Sequence, residues 1–123
     1  MHWLAVAVGG ALGAMARYAV SLWLLNTSGP KFPYATLTVN VLGSFIMGLL
    51  FVVIVERAAL PAEMRSLLMV GFLGAFTTFS TFSLDALNLW QNGHLFAALV
   101  YVLVTVALCL VAISSSIWLA RLL

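Results

Sequence analysis

Long apolar runs alternate with short polar interruptions along this chain. Four runs, at about residues 3–25, 35–55, 66–90 and 95–122, are separated by "NTSGPKFP", "ERAALPAEMR" and "QNGH". Each run reaches the roughly 20 residues that a helix needs to cross about 30 Å of hydrocarbon. The pattern therefore predicts an all-α membrane protein: one membrane domain of four transmembrane helices with short connections. The interruptions carry turn chemistry. Asn26, Ser28, Gly29, Pro30 and Pro33 crowd the first, Pro61 in the second suits the first turn of a following helix, and Asn92 with Gly93 makes a tight turn in the third.

Composition fixes the solvent. Hydrophobic residues make up 65% of the chain and charged residues 7%, far from the roughly half apolar, quarter charged balance of soluble domains. A net charge of +2 is too sparse for a nucleic-acid footprint. Cys109 is alone and cannot form an internal disulfide. His2 and His94 have no Cys or carboxylate cluster around them, which argues against a transition-metal site. No nucleophile is accompanied by a base and an orienting partner, so no enzymatic activity is expected. "MHWLAVAV" has no basic n-region, so the first helix is expected to stay in the mature chain. An even number of spans puts both termini on one side with Arg57, Arg65 and Arg121, against Lys31 on the other. So small a bias permits insertion in both orientations, and ordinary cytoplasmic termini fit it equally. Four short helices rarely enclose a pathway, so a homo-oligomer is expected. Gly9 and Gly13 have the spacing that lets helix backbones approach.

Polar groups inside hydrocarbon mark functional candidates, because they are costly unless paired or hydrated. Arg17 either reaches toward the loop after Leu25 or lines a water-filled entrance. Thr36, Asn40 and Ser44 recur every four residues and share a helix face. The Asn40 carboxamide, with two N–H donors and one acceptor, can serve an anion or join two helices. Segment three is stranger. Gly71 and Gly74 lie three apart and are followed by Thr77 and Thr78, a run of poor helix propensity. A broken third helix is expected there, its freed carbonyls needing partners such as a cation; the alternative is a continuous helix with Ser and Thr bonded back to the preceding turn. Beyond it, Phe79 and Phe82 share a face, and Thr78, Thr81 and Asp85 follow a neighbouring one, with Ser80 and Ser83 between. Phenyl rims carry partial positive charge, so rings beside hydroxyl donors can contact a small anion without a full charge that would trap it. Packing or lipid contact is the plainer reading of either Phe. Tyr101 and Thr105 lie four apart on segment four, with Cys109 next on that face.

Taken together, "GGALGAMARY" (Gly9 to Tyr18), "TLTVNVLGSFIMG" (Thr36 to Gly48) and "GAFTTFSTFS" (Gly74 to Ser83) resemble the small bacterial fluoride channel family, the Fluc or CrcB-type exporters, in order and spacing across all four segments. The resemblance implies a passive, fluoride-selective channel in the bacterial cytoplasmic (inner) membrane that exports cytoplasmic fluoride and confers fluoride resistance. It also implies an antiparallel, dual-topology homodimer with two permeation paths, each lined by both subunits. By position, Phe79 and Phe82 match the aromatic box that meets fluoride and Asn40 its amide donor. Ser80, Thr81 and Ser83 match part of the hydroxyl lining, Thr36 belongs to the same ion pathway, Tyr101 and Thr105 match a polar track, and Arg17 matches the vestibule arginine. The backbone carbonyls of Gly74 and Thr77 match those that hold a structural sodium ion at the dimer interface. Two positions depart from the family pattern: Ala75 stands where a second Gly is usual, and Asp85 where Glu is common. The rival class, small multidrug or guanidinium exporters, needs a membrane-embedded Glu in the first helix. Segment one has none.

Overall fold

The computed structural model describes residues 1–28 and 31–123; Gly29 and Pro30 of the expected first loop lie outside the described residues. Helix α1 spans His2–Ser28. Helix α2 spans Tyr34–Leu50 and continues as a π-helical stretch, Phe51–Glu56. Helix α3 covers residues 62–76, and its middle, Arg65–Leu73, is also π-helical. Helix α4 is Phe79–Gln91 and α5 is Leu95–Leu122. In sum, four stretches are long and apolar enough to cross a membrane: His2–Thr27, Tyr34–Glu56, Ala62–Gln91 and Leu95–Leu122. Among the described residues there is no β-strand.

The helix limits follow from local chemistry. Helix α1 runs a turn beyond its expected end at Leu25, so Asn26 and Ser28 lie within it. Thr27 Oγ1 donates to the Trp23 carbonyl (3.0 Å), the bond back to the preceding turn by which a threonine hydroxyl is satisfied within a helix. Pro61 precedes α3 with extended ψ (156°). Helix α4 stops at Gly93, whose φ of +84° is the left-handed geometry open to glycine. The His94 N–H then returns to the Leu89 carbonyl (2.8 Å), closing the end of the helix.

Lipid offers helices no hydrophobic drive to associate, so close packing of small residues must hold the bundle. Helix α1 packs chiefly on α3, and α2 on α5. The first seam is built on glycine: a Cβ at Gly9 would overlap the Leu67 carbonyl and one at Gly13 the Phe72 carbonyl, while Gly71 faces the Gly9 and Gly10 backbone. The Gly9/Gly13 spacing thus joins two helices of one chain. Gly48 opens the second seam to Ser116. Val39, Leu73 and Phe76 form a buried cluster where α2 meets α3, and Phe82, Leu89, Ala98 and Tyr101 a second between α4 and α5.

Polar contacts clasp the ends. Arg121 forms a two-pronged pair with Glu56, and Arg57 Nη2 donates to the Ala120 carbonyl (2.8 Å). His2 Nδ1 and Ser66 Oγ lie 2.7 Å apart. The start of α1, the end of α2, the start of α3 and the end of α5 therefore share one side of the bundle.

Candidate functional site

Between α3 and α4 two residues leave helical geometry: Thr77 (φ −86°, ψ 158°) and Thr78 (φ −153°, ψ 122°). Such backbone at membrane depth needs internal partners, and side chains from two directions supply them. Asn40 of α2 takes Thr78 from both sides, its Oδ1 accepting from the Thr78 N–H (2.8 Å) and its Nδ2 donating to the Thr78 carbonyl (3.0 Å). Gly43, one turn along, leaves room for the Thr77 methyl, which a Cβ there would overlap. Thr78 caps α4 itself, its Oγ1 accepting from the Thr81 N–H (3.2 Å), as expected of Thr at a helix N-terminus. Thr77 Oγ1 returns to the Leu73 carbonyl (2.9 Å).

These bonds decide which carbonyls remain. The helical donor for Gly74 O is the Thr78 N–H, which goes to Asn40. The helical donor for Thr77 O is the Thr81 N–H, which goes to Thr78 Oγ1. Both carbonyls have lost their usual partners to side chains. The Ala75 carbonyl is taken by Arg17 Nε (3.0 Å). Neither expectation for Arg17, reaching toward the loop after Leu25 or lining an entrance, anticipated this contact: the guanidinium sits at the C-terminus of α3, where the helix dipole favours a cation.

A groove of about 350 Å³ opens beside the interruption. Asn40, Ser44, Thr77, Thr78, Phe79, Phe82, Thr105 and Cys109 are on its wall, and none of its lining residues carries a full charge. The two rings differ sharply. Phe82 is 7% exposed while Phe79 is 78% exposed, with centroids 5.6 Å apart. Thr105 is only 4% exposed, yet its Oγ1 has no protein partner. Buried hydroxyls are almost always paired, with protein or ordered water.

A larger cavity of about 610 Å³ lies toward the opposite end from the Arg121–Glu56 clasp, lined by Lys31, His94, Thr36 and Asp85 among others. On its wall Thr36 Oγ1 donates to Asp85 Oδ2 (2.7 Å), and the Tyr101 hydroxyl donates to the same oxygen (3.2 Å). This convergence of α2, α4 and α5 was missed by sequence reasoning, which placed Thr36 and Tyr101 on a pathway and left Asp85 without a role. A signal existed: an acid inside a membrane span needs named donors, and Tyr101 lies on the facing helix. Tyr101 is wholly buried and packs on Phe82 (5.2 Å between centroids). Phe82 therefore borders the groove on one side and Tyr101 on the other.

The fold thus brings Asn40, Thr77, Phe79, Phe82 and Thr105 to one groove and Thr36 and Tyr101 to the neighbouring carboxylate. The remaining positions stand apart from the groove wall. Ser80 and Ser83 lie on the exposed face with Phe79, Ser83 Oγ donating to the Phe79 carbonyl (3.0 Å). Thr81 is half-buried behind them, and Gly74 and Arg17 flank the interruption.

Residues 4–117 match the family described as CrcB-like protein, Camphor Resistance (CrcB). The chain is similar to proteins named fluoride-specific ion channel FluC. It is 54% identical over 121 residues to that of Hahella chejuensis, covering 98% of this chain and 95% of the relative. It is 60% identical over 112 residues to that of Saccharophagus degradans, covering 90% and 83%. The protein of Rhizobium meliloti is 45% identical over 120 residues, covering 98% and 96%.

Proposed function

Because the chain belongs to the CrcB-like family, we propose that it is a fluoride-selective channel, with the groove beside Thr77 and Thr78 as part of the ion's route. The observation that carries this reading is the character of the groove wall. A small anion must exchange water for donors that hold it only briefly, since passage needs binding weak enough for release. The groove offers the hydroxyl of Ser44, the second N–H of Asn40, and phenyl rims on Phe79 and Phe82 whose edges carry partial positive charge. It offers no cation to trap the ion and no acid to repel it. A multidrug exporter exchanging protons for cations is not favoured, since α1 carries Arg17 and no carboxylate.

Hydrogen fluoride crosses bilayers as the neutral acid and ionises in the cytoplasm. A passive channel then lets the inside-negative potential, about 2.3 kcal/mol per charge per 100 mV, drive fluoride out across the bacterial inner membrane. That passive export would confer fluoride resistance. Liposomes holding only the purified chain are expected to release trapped fluoride once a potassium ionophore balances charge, with chloride retained. Release no faster than from protein-free vesicles, read with a fluoride electrode, would refute the proposal.

The finer arrangement is an antiparallel, dual-topology homodimer in which each route is completed by both copies. It is supported by Phe79, which a single chain leaves on its outer face beside Ser80 and Ser83. The Gly74 and Thr77 carbonyls, deprived of their helical donors, fit a sodium ion, two from each copy. Such an ion would supply fixed positive charge between two interrupted spans. Replacing sodium by N-methylglucamine on both sides of the membrane is expected to abolish flux and weaken the dimer. Full flux after exhaustive exchange would leave those carbonyls without that ion.

A further inference from the structure

The connection between α1 and α2 sends one ring into the bundle. Phe32 is half-buried and packs on the cluster of Phe82, Leu89, Ala98 and Tyr101. Its backbone is held although no helix contains it: Pro33 follows and disfavours helical geometry there, and the Phe32 carbonyl accepts from the Tyr34 N–H (2.8 Å). The Phe32 ring meets Tyr101 edge to face, with centroids 5.4 Å apart and planes at 88°. Tyr101 in turn meets Phe82 at 5.2 Å, and Phe82 meets Phe79 at 5.6 Å. The four rings form an unbroken row from the larger cavity, which Phe32 lines, to the groove, which Phe79 and Phe82 line.

The row matters because a phenyl group has two electrostatic aspects: its rim attracts an anion and its face repels one. Which aspect Phe82 presents depends on the plane of its ring, and rotation about the ring axis is soft unless neighbours fix it. Tyr101, wholly buried, is such a neighbour. Its hydroxyl is anchored on Asp85 Oδ2 (3.2 Å), but that oxygen lies on the ring's own axis, so the bond does not fix the plane. A perpendicular ring packed against it supplies that constraint. We propose that Phe32 is a positioning residue for fluoride passage: it locks the plane of Tyr101, which holds the rim of Phe82 toward the groove. This inference rests on reading the groove as the fluoride route and Phe82 as an anion contact.

Phe32→Leu keeps apolar bulk in the cluster and removes the ring. It is expected to slow fluoride efflux from proteoliposomes by roughly two- to tenfold, the equilibrium weight of one aromatic pair beyond its area, while Phe32→Tyr restores the wild-type rate. In a Phe82→Ile background the same Phe32→Leu change should cost nothing further, an interdependence that general loosening of the bundle would not produce. The ring itself is followed by fluorine NMR with a meta-fluorinated phenylalanine in place of Phe82, in fluoride-free lipid nanodiscs. The spectrum should report one held orientation with Phe32 or Phe32→Tyr, and exchange between orientations with Phe32→Leu. Wild-type flux in Phe32→Leu, an equal loss in the Phe82→Ile background, or an unchanged spectrum would overturn the inference. A wild-type chain that passes no fluoride would defeat the channel reading, and the spectra alone would then uphold or overturn the hold of Phe32 on the ring.

Discussion

Asn40→Ala is expected to reduce fluoride efflux by about a hundredfold. The substitution removes both bonds that hold Thr78 and leaves its N–H and carbonyl unsatisfied where lipid and packed helices offer little water. Each orphaned buried group costs about 1–3 kcal/mol. Roughly 1.4 kcal/mol apiece gives about 2.8 kcal/mol against the extended Thr77–Thr78 geometry, a hundredfold in its population. Phe79, the cap on α4 and the two carbonyls released from helical bonding all depend on that geometry. Hydrogen exchange at the Thr78 amide distinguishes this from loss of a fluoride donor alone: exchange should accelerate in Asn40→Ala and stay slow in Asn40→Asp, which keeps the acceptor for Thr78 N–H. Wild-type flux with unchanged exchange would remove the clamp from the account.

Phe82→Ile and Phe79→Ile form the second test, because their burial separates structure from passage. Phe82 packs on Tyr101 and Phe79, and a hydrophobic swap of similar size in such a place costs under about 1.5 kcal/mol. The bundle should therefore still assemble, judged by elution volume and thermal melting. Flux is expected to fall by about tenfold or more, since isoleucine has no polarised rim to offer an anion. Phe79 is mostly exposed and its one aromatic neighbour is Phe82, so its replacement should leave the melting of the chain nearly unchanged while also depressing flux. Undiminished transport in both variants would eliminate the aromatic contribution.

Much of the architecture was legible in the chain because lipid imposes so strict a code. Runs long enough to span, bounded by Pro, Gly, Asn and charge, gave the helix positions to within a turn or so at most ends. The Gly9 and Gly13 spacing announced a close helix contact, though nothing in one helix's sequence says whether the neighbour belongs to the same chain; the π-helical stretch in α3 that meets them left no compositional mark. The Thr36, Asn40, Ser44 face was visible as a stripe. Its division of labour was not: Thr36 turns to Asp85, Asn40 to the Thr78 backbone, and Ser44 to the groove. Those partners lie 38 to 49 residues away, and periodicity along one helix carries no information about what stands opposite. The partner of Arg17 was hidden for the same reason, since the Ala75 carbonyl that receives it lies on another span.

The clamp on Thr78 also bears on how the chain is made. A ribosome delivers the second span before the third, so the carboxamide is already seated in the bilayer when the two extended threonines arrive. Synthesised in the reverse order, the third span would have to leave the translocon with its kink unpaired against acyl chains. The order of segments along the gene thus gives biogenesis a waiting template.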